Sequence, residues 1–234
     1  MKFLQKLSMT SKELLEHGAV NIVFLGDSVT HGVLDGENNF ETVYWNILKK
    51  RLNNLYNYIP INAINSGIEG TTAKNAVERI NRDVLSYHPE LVVVCFGLND
   101  INGELNEYTE SLSDIFKMCK EIGADVIFMT PNMLNTYVSE SVPPQYREIA
   151  TMTAKYQNEG KMDEYIQAAI KTAEKNEVIV CDCYAKWKEM HQSGADTTEL
   201  LINKINHPNQ KMHQLFADML FDIITMNETN MLGE

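Results

Sequence analysis

Residues 22–32 read "IVFLGDSVTHG". An apolar run, Ile22-Val23-Phe24-Leu25, stops at Gly26, and Asp27, Ser28, Thr30 and His31 follow within five residues. A short apolar run closed by glycine fits a buried strand. The polar residues after it have two readings. In one, Asp27 or Ser28 is simply the N-cap of a helix. In the other, Ser28 is a nucleophile held at the end of a rigid strand. The rest of the chain decides between them.

Working outward, further strand-like runs fall at 21–25, 61–65, 91–96, 125–130 and 178–182. Helical patterns lie between them at 42–55, 72–86, 108–122 and 162–176, with a last helix from His207 towards Met226. This alternation predicts βαβ units and a parallel sheet covered by helices on both faces. "LVVVCFG" and "DVIFMT" are apolar on both faces, as central parallel strands require. The 234 residues fit one α/β domain, 1–234, without repeat or linker. "Thr10-Ser11-Lys12-Glu13" reads as a capping box opening a short helix that closes at Gly18, within an N-terminal helical extension over 1–18. Residues 131–160 are too long for an ordinary βα connection and read either as a lid or substrate-binding insertion or as a merely decorated loop.

Composition narrows the function classes. Apolar residues make up 44% and the formal net charge is −12. An acidic chain without a Lys/Arg stripe is a poor partner for nucleic acid or anionic membrane. No apolar run approaches the ~20 residues that span a bilayer, and the N-terminus lacks a signal-peptide apolar core. Four cysteines, Cys95, Cys119, Cys181 and Cys183, fit reduced thiols in a cytoplasmic protein. Cys181 and Cys183 give only two metal ligands with no matching second pair, so they read as core. No metal and no cofactor is expected, and the oligomeric state stays open.

In open parallel sheets, ligands bind beyond the carboxyl ends of the strands. There the chain places Gly26-Asp27-Ser28, then "NSGIEGTT" with Asn65, Gly67 and Gly70, then "GLND" with Asn99 and Asp100, then "TPNM". A serine hydrolase needs a nucleophile, a base, oxyanion donors and a group that orients the base. Ser28 offers the first. Gly67 offers a backbone N–H with no side chain in the way, Asn99 an amide, and Ser28 its own N–H. Of six histidines, His17, His31, His88, His191, His207 and His213, His17 and His88 lie at helix ends and His31 is too close to Ser28 in sequence. His207 precedes Pro208, a favoured first helical residue, so it reads as the N-cap of the last helix. The helix dipole would there keep the imidazole neutral.

"GDSVTHG", "NSGIEG", "GLND" and "NHPN", in this order over roughly residues 20–225, resemble the blocks of the SGNH hydrolase superfamily, the GDSL-type esterases and lipases. The resemblance implies a three-layer α/β/α, flavodoxin-like fold with a five-stranded parallel sheet. It implies ester hydrolysis through an acyl-enzyme on Ser28, with His207 as base and Ser28, Gly67 and Asn99 as the oxyanion hole. Asp27 then supports the turn. The family carries Asp three residues before its catalytic His; here that residue is Lys204. Three consequences stay open: backbone carbonyls in 203–205 orient His207, another carboxylate such as Asp182 or Asp196 folds in, or the enzyme is poor. The expected activity is hydrolysis of short acyl esters, acetyl first, of carbohydrates. Lysophospholipase or thioesterase activity and a ligand-binding module of low turnover are the alternatives. The expected partner is a small-molecule ester.

Overall fold

The computed structural model describes residues 2–34 and 37–232. Five strands form one sheet: β1 (Val20–Gly26), β2 (Ile61–Gly67), β3 (Leu91–Cys95), β4 (Asp125–Met129) and β5 (Ile179–Cys181). All are parallel, in the order β2-β1-β3-β4-β5. Every residue of β3 is buried, as its unbroken Leu-Val-Val-Val-Cys run demands.

Ten helices accompany the sheet among the described residues: α1 (Lys2–Leu7), α2 (Ser11–His17), α3 (Ser28–His31), α4 (Tyr44–Leu55), α5 (Ala73–Asp83), α6 (Leu105–Glu121), α7 (Arg147–Asn158), α8 (Lys161–Lys175), α9 (Cys183–Gln192) and α10 (Gln210–Leu232). Packing groups α4 with α10, and α5, α6 and α8 in a row, giving helix layers on the two sheet faces. The fold is thus three-layered α/β/α with a five-stranded parallel sheet. A short antiparallel pair, Val33–Leu34 with Glu37–Asn38, follows α3.

The N-terminal segment is more than an appendage. Phe3, Leu4 and Leu7 of α1 are buried in the main core. The Phe3 N–H donates to Asp125 Oδ2 at 2.8 Å, and Lys6 Nζ donates to Glu90 Oε1 at 2.6 Å and to the Ala19 carbonyl. These partners precede or open β1, β3 and β4, so α1 closes the amino ends of the strands. The capping box of Thr10 and Glu13 is present at α2.

Two expectations are corrected. The last helix begins at Gln210, and its cap is Asn209, whose Oδ1 accepts from the Met212 N–H at 3.2 Å. Pro208 is instead held in an isolated β-bridge with Leu201, which keeps His207 in the loop before the helix. Helix α9 was not anticipated. Its buried face is only Cys183, Tyr184 and Trp187, too few apolar positions to stand out.

Candidate active site

Ser28 is the first residue of α3, one short turn wedged against the carboxyl ends of β1 and β2. Asp27 caps it, its Oδ1 accepting from the Val29 N–H at 2.9 Å. The turn is clamped from several sides. Thr30 Oγ1 lies 2.9 Å from Tyr44 Oη, Trp45 Nε1 donates to the Thr30 carbonyl, and Asn65 Nδ2 donates to the His31 carbonyl. A Cβ on Gly67 would lie 2.3 Å from the His31 nitrogen, so only glycine lets β2 approach α3 this closely. The polar turn of "GDSVTHG" is thus a capped helix, and its first residue, at the end of β1, is Ser28.

Ser28 Oγ lies 2.9 Å from His207 Nε2, joining residues 179 apart in the chain. The loop carrying His207 is organised by Asn203. Its Oδ1 accepts from the N–H groups of Ile205, Asn206 and His207, each at 3.0 Å, and its Nδ2 donates to Asn206 Oδ1. The His207 carbonyl accepts from the Ile202 N–H at 2.8 Å. The long insertion buttresses the same loop. Asn132 Nδ2 donates to the Asn206 carbonyl at 2.8 Å, and the Asn135 N–H donates to the Ile205 carbonyl at 2.9 Å. Residues 132–135 are buried, so this part of the insertion is fixed in the core. Asn203, Asn132 and Asn135 were not singled out by sequence reasoning; the setting of Asn203 within "NKINHPN" and of Asn132 within "TPNM" was the available signal, and Asn135 lies two residues beyond the latter.

No carboxylate among the described residues hydrogen-bonds His207. Asp182 caps α9 through the Ala185 N–H and accepts from Thr130 Oγ1, both at 3.0 Å. Asp196 accepts from Tyr137 Oη at 2.8 Å and from the Glu199 N–H. Lys204, in the left-handed region at φ 58°, turns its ammonium to Glu199 Oε2 at 2.8 Å. Burial holds the His207 pKa below the usual 6.5, partly offset by the charge of Glu69. Desolvation thus keeps the imidazole neutral, the role assigned from sequence to a helix dipole.

The three candidate oxyanion donors differ. The Ser28 N–H, at the start of α3, meets no protein acceptor among the described residues. Asn99 Nδ2 donates to the Thr71 carbonyl at 3.0 Å and reaches Asp27 Oδ2 only at 3.5 Å. The Gly67 N–H is taken by Asn65 Oδ1 at 2.9 Å, so it reaches an oxyanion only when that bond opens. The turn bearing Asn99 is fixed by Asp100, whose carboxylate accepts from the Ala73 and Gly97 N–H groups. Burial raises the Asp27 carboxyl to about 7 and that of Asp100 to about 6, with Asp100 adding to the effect on Asp27.

A cavity of about 610 Å³ opens beside His207. Val33, Glu69, Asn203 and Lys204 line it, and Ser141, Pro143 and Tyr146 bring the insertion to its wall. No helix among the described residues is long and apolar enough to cross a membrane.

The chain is similar to known proteins in sequence and in fold. The sequence profile of the GDSL-like Lipase/Acylhydrolase family matches residues 24–215. An acetylxylan esterase of Geobacillus stearothermophilus is 27% identical over 128 residues, 47% of this chain and 58% of that protein. The chain therefore matches little more than half the length of that curated relative. A crystal structure of an acetylxylan esterase from the same organism superposes with a TM-score of 0.67 at 21% identity, covering 86% of this chain and 92% of that one. A lipase/acylhydrolase from Enterococcus faecalis gives 0.65 at 24% identity, covering 89% and 96%. At these identities the structural likeness speaks for the fold.

Proposed function

Since the chain belongs to the GDSL-like Lipase/Acylhydrolase family, we propose that it is a serine esterase that removes short acyl groups, acetyl first, from carbohydrate alcohols. The observation that carries this reading is the 2.9 Å contact of Ser28 Oγ with His207 Nε2. His207 takes the hydroxyl proton on Nε2 as Oγ attacks the ester carbonyl carbon. The oxyanion is met by the Ser28 N–H and the weakly engaged second hydrogen of Asn99 Nδ2, with the Gly67 N–H joining when Asn65 releases it. Collapse breaks the bond to the alcohol, which leaves with the proton from His207. Water, deprotonated by His207, then hydrolyses the acyl-Ser28 ester and restores the serine.

The acetyl preference draws on the likeness to an acetylxylan esterase. The cavity wall mixes polar residues, Glu69, Ser141, Asn203 and Lys204, with Val33, Pro143, Ile202 and Ile205, which suits an alcohol that carries both hydroxyls and apolar ring faces, and the Lys204 charge is already paired with Glu199. An unpaired Glu69 and a net charge of −12 disfavour the phosphate of a lysophospholipid or of coenzyme A. In this reading the insertion walls the alcohol side, all of 1–234 serves one domain, and four buried free thiols suit the cytoplasm.

A second reading, a binding module of low turnover, rests on Lys204 in the position of the family's Asp. Hydrolysis of p-nitrophenyl acetate and of acetylated xylo-oligosaccharides separates the two. Turnover abolished by Ser28→Ala supports the esterase, and binding without Ser28-dependent turnover supports the module.

A further inference from the structure

Lys204 leaves a question that the Ser28–His207 pair does not answer. An imidazolium must form during acylation, and no anion among the described residues hydrogen-bonds it. Asp182, Asp196 and Glu199 are each engaged away from the site. Asp27 lies beneath Ser28, bonded to the Val29 N–H.

One carboxylate stands elsewhere. Gly67 is the register partner of Gly26, and the Ile68 N–H donates to the Gly26 carbonyl at 3.1 Å. The chain therefore carries Glu69 just past the sheet edge, on the side where Ser28 begins α3. Glu69 and His207 line the same cavity, and Glu69 is the one carboxylate among its lining residues. Its own carboxylate has no hydrogen bond or ion pair among the described residues.

We propose that Glu69 is the anion that stabilises the His207 imidazolium, acting by charge across the cavity instead of through a hydrogen bond to Nδ1. It is a positioning residue in the electrostatic sense, working through His207. The proposal rests on the esterase reading. The charge of Glu69 raises the His207 pKa against the effect of burial, in the required direction. Among the described residues, the other charged or titratable groups around His207 do not supply an anion there; Tyr146, on the same cavity wall, carries a neutral phenol. Lys204 is paired with Glu199. His213 of α10 is buried and kept neutral, its pKa pushed down to about 3. Asp27 is buried with its carboxyl raised to about 7. Glu69 is exposed, so solvent screens its charge and the effect is small compared with a buried partner. It also repels the oxyanion, so the sign of the net effect is itself informative.

The test combines pH–rate profiles with p-nitrophenyl acetate and NMR titration of the His207 Hε1 proton. Glu69→Gln should lower kcat about 3- to 10-fold and move the His207 midpoint to lower pH, because an adjacent anion favours the charged form. Glu69→Asp, which keeps the charge, should titrate closer to the wild type. Sodium chloride at 1 M, where the screening length is about 3 Å, should carry the wild-type midpoint towards that of Glu69→Gln. An unmoved His207 midpoint, a rise in kcat, or Glu69→Asp titrating like Glu69→Gln would overturn the proposal. Titration in a Ser28→Ala background reads the charge effect without turnover, so failure of the esterase reading and failure of this proposal are told apart.

Discussion

Lys204 Nζ lies 2.8 Å from Glu199 Oε2, so the residue three places before His207 is paired with an acid of its own loop. The backbone at Lys204 is left-handed, a region that Asp tolerates better than most residues. Restoring the family's acid is therefore compatible with the loop. Lys204→Asp should raise kcat about tenfold, equivalent to ~1.4 kcal/mol, and shift the pH–rate midpoint upward, since a neighbouring carboxylate stabilises the imidazolium. Steady-state kinetics from pH 5 to 8 check this. No gain in kcat together with an unmoved midpoint would show that position 204 does not face the ring.

Asn203 is the keystone of the same loop, because one side-chain oxygen satisfies three consecutive N–H groups. Asn203→Ala leaves those donors unpaired at a cost of about 1–3 kcal/mol. It should also lower kcat/KM about 10- to 100-fold by loosening the imidazole. Asn203→Asp keeps the acceptor for the three N–H groups but loses the donation to Asn206 Oδ1, so it should melt above Asn203→Ala and below the wild type. Equal activity of Asn203→Ala and wild type would mean that the insertion, through Asn132 and Asn135, holds His207 unaided.

Asn99 separates an oxyanion donor from a turn residue. Its Nδ2 bonds the Thr71 carbonyl firmly and Asp27 weakly, which leaves one hydrogen for a developing charge. Asn99→Ala should lower kcat about 10²-fold with little change in KM, because the bond strengthens mainly in the transition state. A loss of thermal stability with kcat intact would assign Asn99 to the turn alone.

Asp27 makes a prediction about stability. Its carboxyl is raised from 3.8 to about 7 by burial, with Asp100 adding to the effect. Between those pH values the folded state holds a proton that the unfolded state has lost. Stability therefore falls as pH rises through this window and levels off above it. Asparagine caps helices as well as aspartate does, so Asp27→Asn keeps the bond to Val29 and removes the buried charge. It should be more stable than wild type by about 1–3 kcal/mol at pH 8 and nearly equal at pH 4. Thermal unfolding at the two pH values decides, and an equal gain at both would contradict the burial argument.

Much of this architecture is legible in the chain because strand–helix alternation and the polar residues after each strand are local patterns. "IVFLG" and "LVVVC" become β1 and β3, and Ser28 and His207 meet as the blocks imply. The cap of α10 is not local in that sense. Pro208 after His207 fits a helix start, yet the bridge to Leu201 and the Asn209 side chain move the start to Gln210. The Thr130 partner of Asp182, the Tyr137 partner of Asp196 and the Asn132 contact with the His207 loop all join distant segments. Spacing alone carries no information about them.

The central claim is that Ser28 is acylated with His207 as its base. Intact-protein and peptide mass spectrometry after reaction with a fluorophosphonate tests it most directly. The account predicts one adduct, on the peptide containing Ser28, formed at a rate that rises with pH to a plateau through a midpoint below ~6.5, because burial lowers the His207 pKa. Labelling at another serine, or full labelling and turnover in Ser28→Ala, would contradict it.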